Sequence, residues 1–312
     1  MDRRSFLTLT GTLAGTLLLP TMKGSPAALD GLHRRAQHLA AGARSQRPTT
    51  TLAEAGDLVM VAEAAFLAAV PRGQRQSLHR TASLAALTAA QAAQRAKHPA
   101  GTLLDRAHGH AAGAGDGPLK AQVLVLKRDE EAAARHRGAG SAASVRMLTA
   151  ALDAAGSSRE TASLRASILY RLAWECAALG DVHGALQELE GADASAAMAT
   201  VSPDVVEDVD LRCGGAEAWR GKCLRMARCP SAAETALAKA LGTRVQPAGV
   251  LVDIARVRAD AGDVDGAVAA LEDGFLVART AENRRIEASA RHAAGTLPDT
   301  PAVRSLRELI RS

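Results

Sequence analysis

Aromatic residues are scarce in this chain: Phe6, Phe66, Tyr170, Trp174, Trp219 and Phe275 are the only six among 312 residues, or 2%. Strands draw heavily on aromatic and β-branched side chains, so the shortage argues against a sheet protein. Cysteine is equally thin. Cys176, Cys213, Cys223 and Cys229 include no Cys-x-x-Cys pair, and their spacing matches no usual zinc pattern. Cys176 falls at a helix position expected to be core, where a thiol behaves as a small hydrophobe; the alternative groups Cys213, Cys223 and Cys229 in a disulfide or zinc site. No apolar run is long enough to span a bilayer, so no integral membrane segment is expected.

Catalytic signatures are missing too. The sequence holds no Gly-x-Ser-x-Gly, no Gly-x-x-x-x-Gly-Lys-Ser/Thr and no His-Glu-x-x-His. Carboxylate clusters such as Asp129-Glu130-Glu131 read as solvated helix faces. Of nine histidines only His108-x-His110 forms a close pair, and it lies in a Gly-Ala stretch that reads as a loop. The expectation is therefore a non-enzyme with no catalytic residues, no cofactor and no metal. A small-molecule enzyme built from residues that no linear motif reveals is the remote alternative.

Charge of one sign is absent from most of the chain. The net charge is +5 with pI near 9.3, but residues 1–47 hold seven basic and two acidic side chains and account for all of it. Thirty-one of each remain in the rest. Non-specific phosphate binding needs many uncompensated cations. Direct nucleic-acid binding is therefore not expected, and the one locally basic run, Arg212 to Arg228, reads as a solvated helix face.

What is abundant is Ala, Leu, Arg and Glu, the strong helix formers. Leu164, Ile168, Leu172 and Cys176 recur every four residues, and Val250, Ile254 and Val257 sit three or four apart, so each set lines one helix face. The breaks are capped: Ser202-Pro203-Asp204 and Thr300-Pro301 offer an N-cap followed by proline. Stretches 47–51, 71–73, 98–101, 109–117, 138–144, 156–158, 195–203 and 241–247 read as loops. The fold class that follows is all-α.

Two segments are near-copies. Gly180-Asp181-Val182-His183-Gly184-Ala185 runs on to Leu189-Glu190, and Gly262-Asp263-Val264-Asp265-Gly266-Ala267 runs on to Leu271-Glu272. Glycine ends one helix and aspartate caps the next, so each is the turn and second helix of a hairpin. Three hairpins are expected over 166–189, 214–241 and 248–271, with two or three more within 52–155. A recurring hairpin cannot bury its apolar face alone and must stack.

The pattern resembles the tetratricopeptide repeat. With the turn glycines in register, Ala185 and Ala267 fall on the small crossing position, Leu189 and Leu271 on the next large one, and Leu172-Ala173 and Ile254-Ala255 on the large-small pair of the first helix. The middle unit fits with Ala233, Leu237 and Ala240, but places Arg228 where the turn glycine belongs. Trp219-Arg220-Gly221-Lys222-Cys223-Leu224, the following Pro-containing turn and Val252-Asp253-Ile254-Ala255 resemble the C-terminal repeat domain of actinobacterial Xre-type (helix-turn-helix) transcriptional regulators. There an Arg-Arg-x-Phe joint precedes the repeats, as Arg3-Arg4-Ser5-Phe6 does here. The resemblance covers residues 1–312 and implies a right-handed superhelical array of antiparallel helix pairs over 29–312, without the DNA-binding half.

It also implies a concave groove lined by the first helices, binding a protein or peptide segment or a small signalling ligand in a regulatory role. Carried over by position, the groove residues are Tyr170 and Trp174, then Lys222 and Arg225, then Arg256. Tyr170 and Trp174 are four apart and share a helix face, and cations beside aromatics suit an acidic or carboxylate-ended segment. The plainer reading makes both aromatics core.

Residues 1–28 read as a separate leader or linker. Arg3, Arg4, Phe6 and Leu7, the apolar run to Leu19 and Ser25-Pro26-Ala27 resemble a twin-arginine export signal. Cytoplasmic location is expected from the regulator resemblance, with export by the twin-arginine route as the alternative.

Overall fold

The structure is a computed structural model that describes residues 26–43, 46–67, 70–96, 98–134, 140–199, 215–243, 247–281 and 283–311. Among these, helix is the only regular structure, so the fold is all-α. The first helices are α1 (Pro26–Gly42), α2 (Pro48–Leu67), α3 (Arg72–Arg95), α4 (Gly101–Ala114), α5 (Gly117–Ala134) and α6 (Ala142–Ala155). After a short 3-10 turn, Arg159–Thr161, come α7 (Ala162–Ala178), α8 (Val182–Met198), α9 (Gly215–Met226) and α10 (Pro230–Gly242). The last four are α11 (Pro247–Asp260), α12 (Val264–Thr280), α13 (Arg284–Thr296) and α14 (Pro301–Arg311). None of the described helices is long and apolar enough to cross a membrane. The candidate export residues Arg3, Arg4, Phe6 and Leu7, the Ser202-Pro203-Asp204 cap, and Cys213 all lie outside the described residues.

The chain forms two compact units. Among the described residues, one spans 26–134 and 146–164, and the other 140–145, 165–199 and 215–311.

In the first unit, α3 is the centre. It packs against α1, α2, α4 and α5, and every residue from Thr81 to Ala90 is buried. A helix surrounded on all sides needs small side chains wherever a neighbour crosses, and Ala82, Ala85, Ala86, Ala89 and Ala90 supply them. The three buried hydroxyls on this stretch are satisfied: Thr81 and Thr88 donate back to Ser77 and Leu84 carbonyls, at 3.0 and 2.8 Å, and Ser83 donates across to the Ala107 carbonyl at 2.8 Å. Two expected loops prove helical here. Residues 109–114 complete α4, since Gly109 is exposed and Gly113 lies against the His79 ring. Tertiary packing on α3 overrides the roughly 1 kcal/mol that each interior glycine costs. Residues 48–51 open α2, with Pro48 at the first position.

In the second unit the three expected hairpins are present as α7–α8, α9–α10 and α11–α12, and the residues placed in register are buried: Ala185, Leu189, Ala233, Leu237, Ala240, Ala267 and Leu271 all have 1% exposure or less. Within this unit α9 packs on α11 and α11 on α13, as well as each on its following helix. The stretch expected as a loop from residue 195 is helical to Met198, with Ser195 buried.

One turn geometry is used three times. Gly180 and Gly262 have φ of 87° and 83°, and the amides of Asp181 and Asp263 each donate 2.9 Å back to the carbonyl five residues earlier, on Cys176 and Arg258. Each aspartate then accepts 2.9 Å hydrogen bonds from Gly184 or Gly266. The second glycine of each copy is explained by that cap, because a Cβ on Gly184 or Gly266 would collide with the capping carboxylate. In the middle hairpin Arg228 takes the same left-handed conformation, φ 60°, the only described non-glycine residue with positive φ, and Cys229 donates 2.9 Å to the Leu224 carbonyl. The backbone reversal thus recurs despite the arginine, but without a side-chain cap, since Cys229 at the start of α10 makes none.

Left-handed backbone costs an L side chain about 1–2 kcal/mol. Arg228→Gly is therefore expected to stabilise the protein by up to about 1 kcal/mol, after the extra unfolded-state entropy of glycine is subtracted. Gly262→Ala is expected to destabilise by at least about 1 kcal/mol. Urea denaturation of the two variants checks both signs.

Candidate functional site: the face of the first helices

Three side-chain contacts join the first helices of the second unit in series. On α7, Arg171 is buried and donates to the Ser167 hydroxyl (2.5 Å) and carbonyl (3.2 Å) one turn back. Its guanidinium lies 5.1 Å from the centre of the Trp219 ring on α9. Lys222, also on α9, lies 5.1 Å from the same ring, so two cations share the indole. Lys222 reaches Asp253 on α11 at 3.4 Å. Arg256, one turn further along α11, donates to Asp253 at 2.9 Å and to the Ser289 hydroxyl on α13 at 2.7 Å. The result is an unbroken ribbon from α7 to α13.

Of the five residues nominated from sequence, this face brings together Lys222 and Arg256, with Arg225 on the same helix as Lys222 and Trp174 on α7, half-buried. Arg225 donates to Asp260 of α11 at 2.8 Å. The cations are not idle. Lys222, Arg225 and Arg256 share two carboxylates, Asp253 and Asp260, which leaves one net positive charge among them. An acidic ligand here must compete with carboxylates of the protein itself. Asp253 is mostly buried, so its two pairs are less screened than ordinary surface pairs.

Tyr170 sits elsewhere. It is 1% exposed and lies beneath the face, not on it. Its hydroxyl donates 2.6 Å to Asp193 on α8, and Arg220 of α9 pairs with the other oxygen of that carboxylate. The buried Cys223 thiol donates 3.3 Å to the Tyr170 carbonyl. Tyr170 is thus a tie between three helices. Asp193, Arg220, Trp219 and Arg171 were not nominated as site residues because their partners on other helices lie 23–48 residues away and no local spacing marks them. Another buried charge is Glu175, fully enclosed, whose carboxylate accepts 2.9 Å from the Ser141 amide at the start of α6.

The first unit holds a second polar cluster that the sequence reading missed. Glu63 on α2 accepts from Arg106 Nε at 2.9 Å and pairs with a second guanidinium nitrogen. His110 Nε2 lies 3.2 Å from the same Glu63, and His110 Nδ1 lies 3.0 Å from His79 Nδ1 on α3. Phe66 packs against both rings, with centroids 4.4 and 5.7 Å away. The helical spacing of Arg106, His110 and Gly113 was a usable signal, hidden because the glycines suggested a loop. Among the described residues no group of three or more His, Cys, Asp or Glu side chains is arranged to hold a metal ion. Cys223 is fully buried, while Cys176 and Cys229 are half-buried.

No protein-family profile matches this sequence, and no curated protein matches it.

Burial, then the hydrogen bond to Asp193, pushes the Tyr170 phenol above its ordinary 10.0. The folded state therefore resists losing this proton, and stability conferred below the ordinary value is lost as pH rises past it. Tyr170 is the only tyrosine, so tyrosinate absorbance reads it alone. The expected result is no absorbance rise at pH 10–11 while the protein stays folded. Tyr170→Phe is expected to cost about 1.5–3 kcal/mol, the range for a hydrogen bond to a charged group, measured by denaturant unfolding.

Proposed function

We propose that this chain is a non-enzymatic, tetratricopeptide-like interaction module whose helix pairs form a right-handed superhelical array, and whose first helices α7, α9, α11 and α13 receive a partner. The single observation that carries the reading is the ribbon of Arg171, Trp219, Lys222, Asp253, Arg256 and Ser289 along one series of helices. Core helices in a packed bundle need no such run. Its chemistry is a planar aromatic surface flanked by cations that are partly neutralised. A peptide segment with a carboxylate, or a small acidic signalling ligand, matches it by exchanging places with Asp253 or Asp260. The repeat register places the crossing alanines and turn caps outside this face, so they specify the array while the ribbon specifies the ligand. A regulatory role follows the resemblance to the repeat domains of Xre-type regulators.

Fluorescence anisotropy with labelled acidic, neutral and basic peptides tests this. Acidic peptides are expected to bind best, and less tightly as salt rises. Lys222→Glu and Arg256→Glu are each expected to weaken binding at least about tenfold, equivalent to about 1.4 kcal/mol, with circular dichroism confirming that the helices persist. Equal binding of acidic and basic peptides, or binding untouched by both reversals, refutes the proposal.

A further inference from the structure

The Glu63, His110, His79 chain joins α2, α4 and α3 of the first unit, and the hydrogen-bonding capacity of the two imidazoles limits what it can hold. Glu63 accepts from His110 Nε2–H at 3.2 Å. That assigns the His110 proton to Nε2 and leaves Nδ1 as an acceptor. His79 Nδ1–H then donates to it across 3.0 Å. One proton added to the pair still leaves a single N–H between the two Nδ1 atoms, so the bond between the rings survives. A second proton puts an N–H on both Nδ1 atoms, which sets two N–H groups and two positive charges face to face at hydrogen-bond distance.

The surroundings oppose that second charge. From α4, Arg106 is already committed to Glu63. From α3 itself, Arg75 stands near His79, and Arg80 pairs with Asp116 at the start of α5. From α2, Glu63 is the one carboxylate in contact, with Met60 and Phe66 beside it. From α1, His33 is turned to Thr81. The α5 cations Lys120 and Lys127 act on His108, on another face of α4. Burial is the first cause holding the His79 imidazole below its ordinary 6.5, with His110 and Arg75 adding to it. Glu63 is raised by burial and lowered more by Arg106 and His110, so it remains the anion of the chain.

We infer that the His79–His110 pair holds one proton and rejects a second, which makes the packing of α2, α3 and α4 an acid-released latch. Unfolded, both imidazoles take protons; folded, the pair takes one fewer. The unfolded state then binds more protons below about pH 6.5, so stability of this unit rises with pH through that window and falls on acidification. No ligand is required: a drop in pH alone loosens these three helices.

Hydrogen exchange of the full chain, read by mass spectrometry at pH 6.5 and 5.5 and corrected for intrinsic rates, tests the inference. In the wild type, exchange in α2, α3 and α4 is expected to rise up to about tenfold over that pH unit, the slope of one proton. In His79→Asn the side-chain amide takes the Nδ1 position, bonds His110 in either protonation state and cannot take the second proton. Its rise is expected to stay below about twofold. His108→Gln controls for the neighbouring imidazole, which burial beside Lys127 also depresses, and is expected to keep the wild-type slope. An unchanged slope in His79→Asn, or a slope abolished only in His108→Gln, overturns the latch. If His79→Asn fails to fold, histidine NMR titration of the wild type decides: two coupled steps in one ring pair support the latch, and two independent ordinary titrations overturn it.

Discussion

One residue in the left-handed region, followed at once by a helix cap, governs the second unit. It reverses the chain within two residues, and so decides which residues of consecutive helices oppose each other. With Gly180 and Gly262 at that point, Ala185 and Ala267 arrive at the crossing and Leu189 and Leu271 at the next layer, all buried. The cap then accounts for a glycine that would otherwise look accidental, since Gly184 and Gly266 lie under the capping carboxylates. That Arg228 accepts the same geometry shows how strongly the flanking helices insist on it. Buried leucines at about 1.5–3 kcal/mol each outweigh the strain of one arginine.

Once the turns fix the register, polar groups are left to differ between helices. The ribbon from Arg171 to Ser289 and the tie through Tyr170, Asp193 and Arg220 use the same helices for different ends. The tie is enclosed, its hydroxyl is satisfied, and it holds α7, α8 and α9 together. The ribbon is part-exposed, rich in cations, and braced by Asp253. A ligand there meets a surface whose charges are already ordered by the protein, which lowers the entropy lost on binding. The cost is competition with Asp253 and Asp260.

The fold was legible wherever its determinants are local. Glycine-aspartate turns, four-residue periodicity in Leu164 to Cys176, and crossing alanines are all set by neighbours in sequence, and each reappears in place. Residues 109–114 were misjudged because glycine is a weak local signal when packing against a central helix decides the outcome. The candidate site was legible only in part. Helical register put Lys222, Arg225 and Arg256 on first helices, but register does not say which side of an aromatic is covered, so Tyr170 came out on the face and is found beneath it. His79 and Glu63 were invisible for a different reason: their partners come from other helices, and pairing between helices has no spacing to read, while the helical spacing of His110 was hidden by its neighbouring glycines.

Among the described residues, the main helix contacts within each unit run to the next helix or the one after it, as α9 does with α10 and α11, and α3 with α4 and α5. Even a bond as remote as Cys223 to Tyr170 closes a loop of 53 residues. Such helix-to-helix contacts close loops of moderate length, which favours quick formation over a topology built on distant strand pairing. They also leave seams. In the second unit the burial of each helix rests on the helices beside it, so a packing defect at one interface is felt first by the pairs on either side.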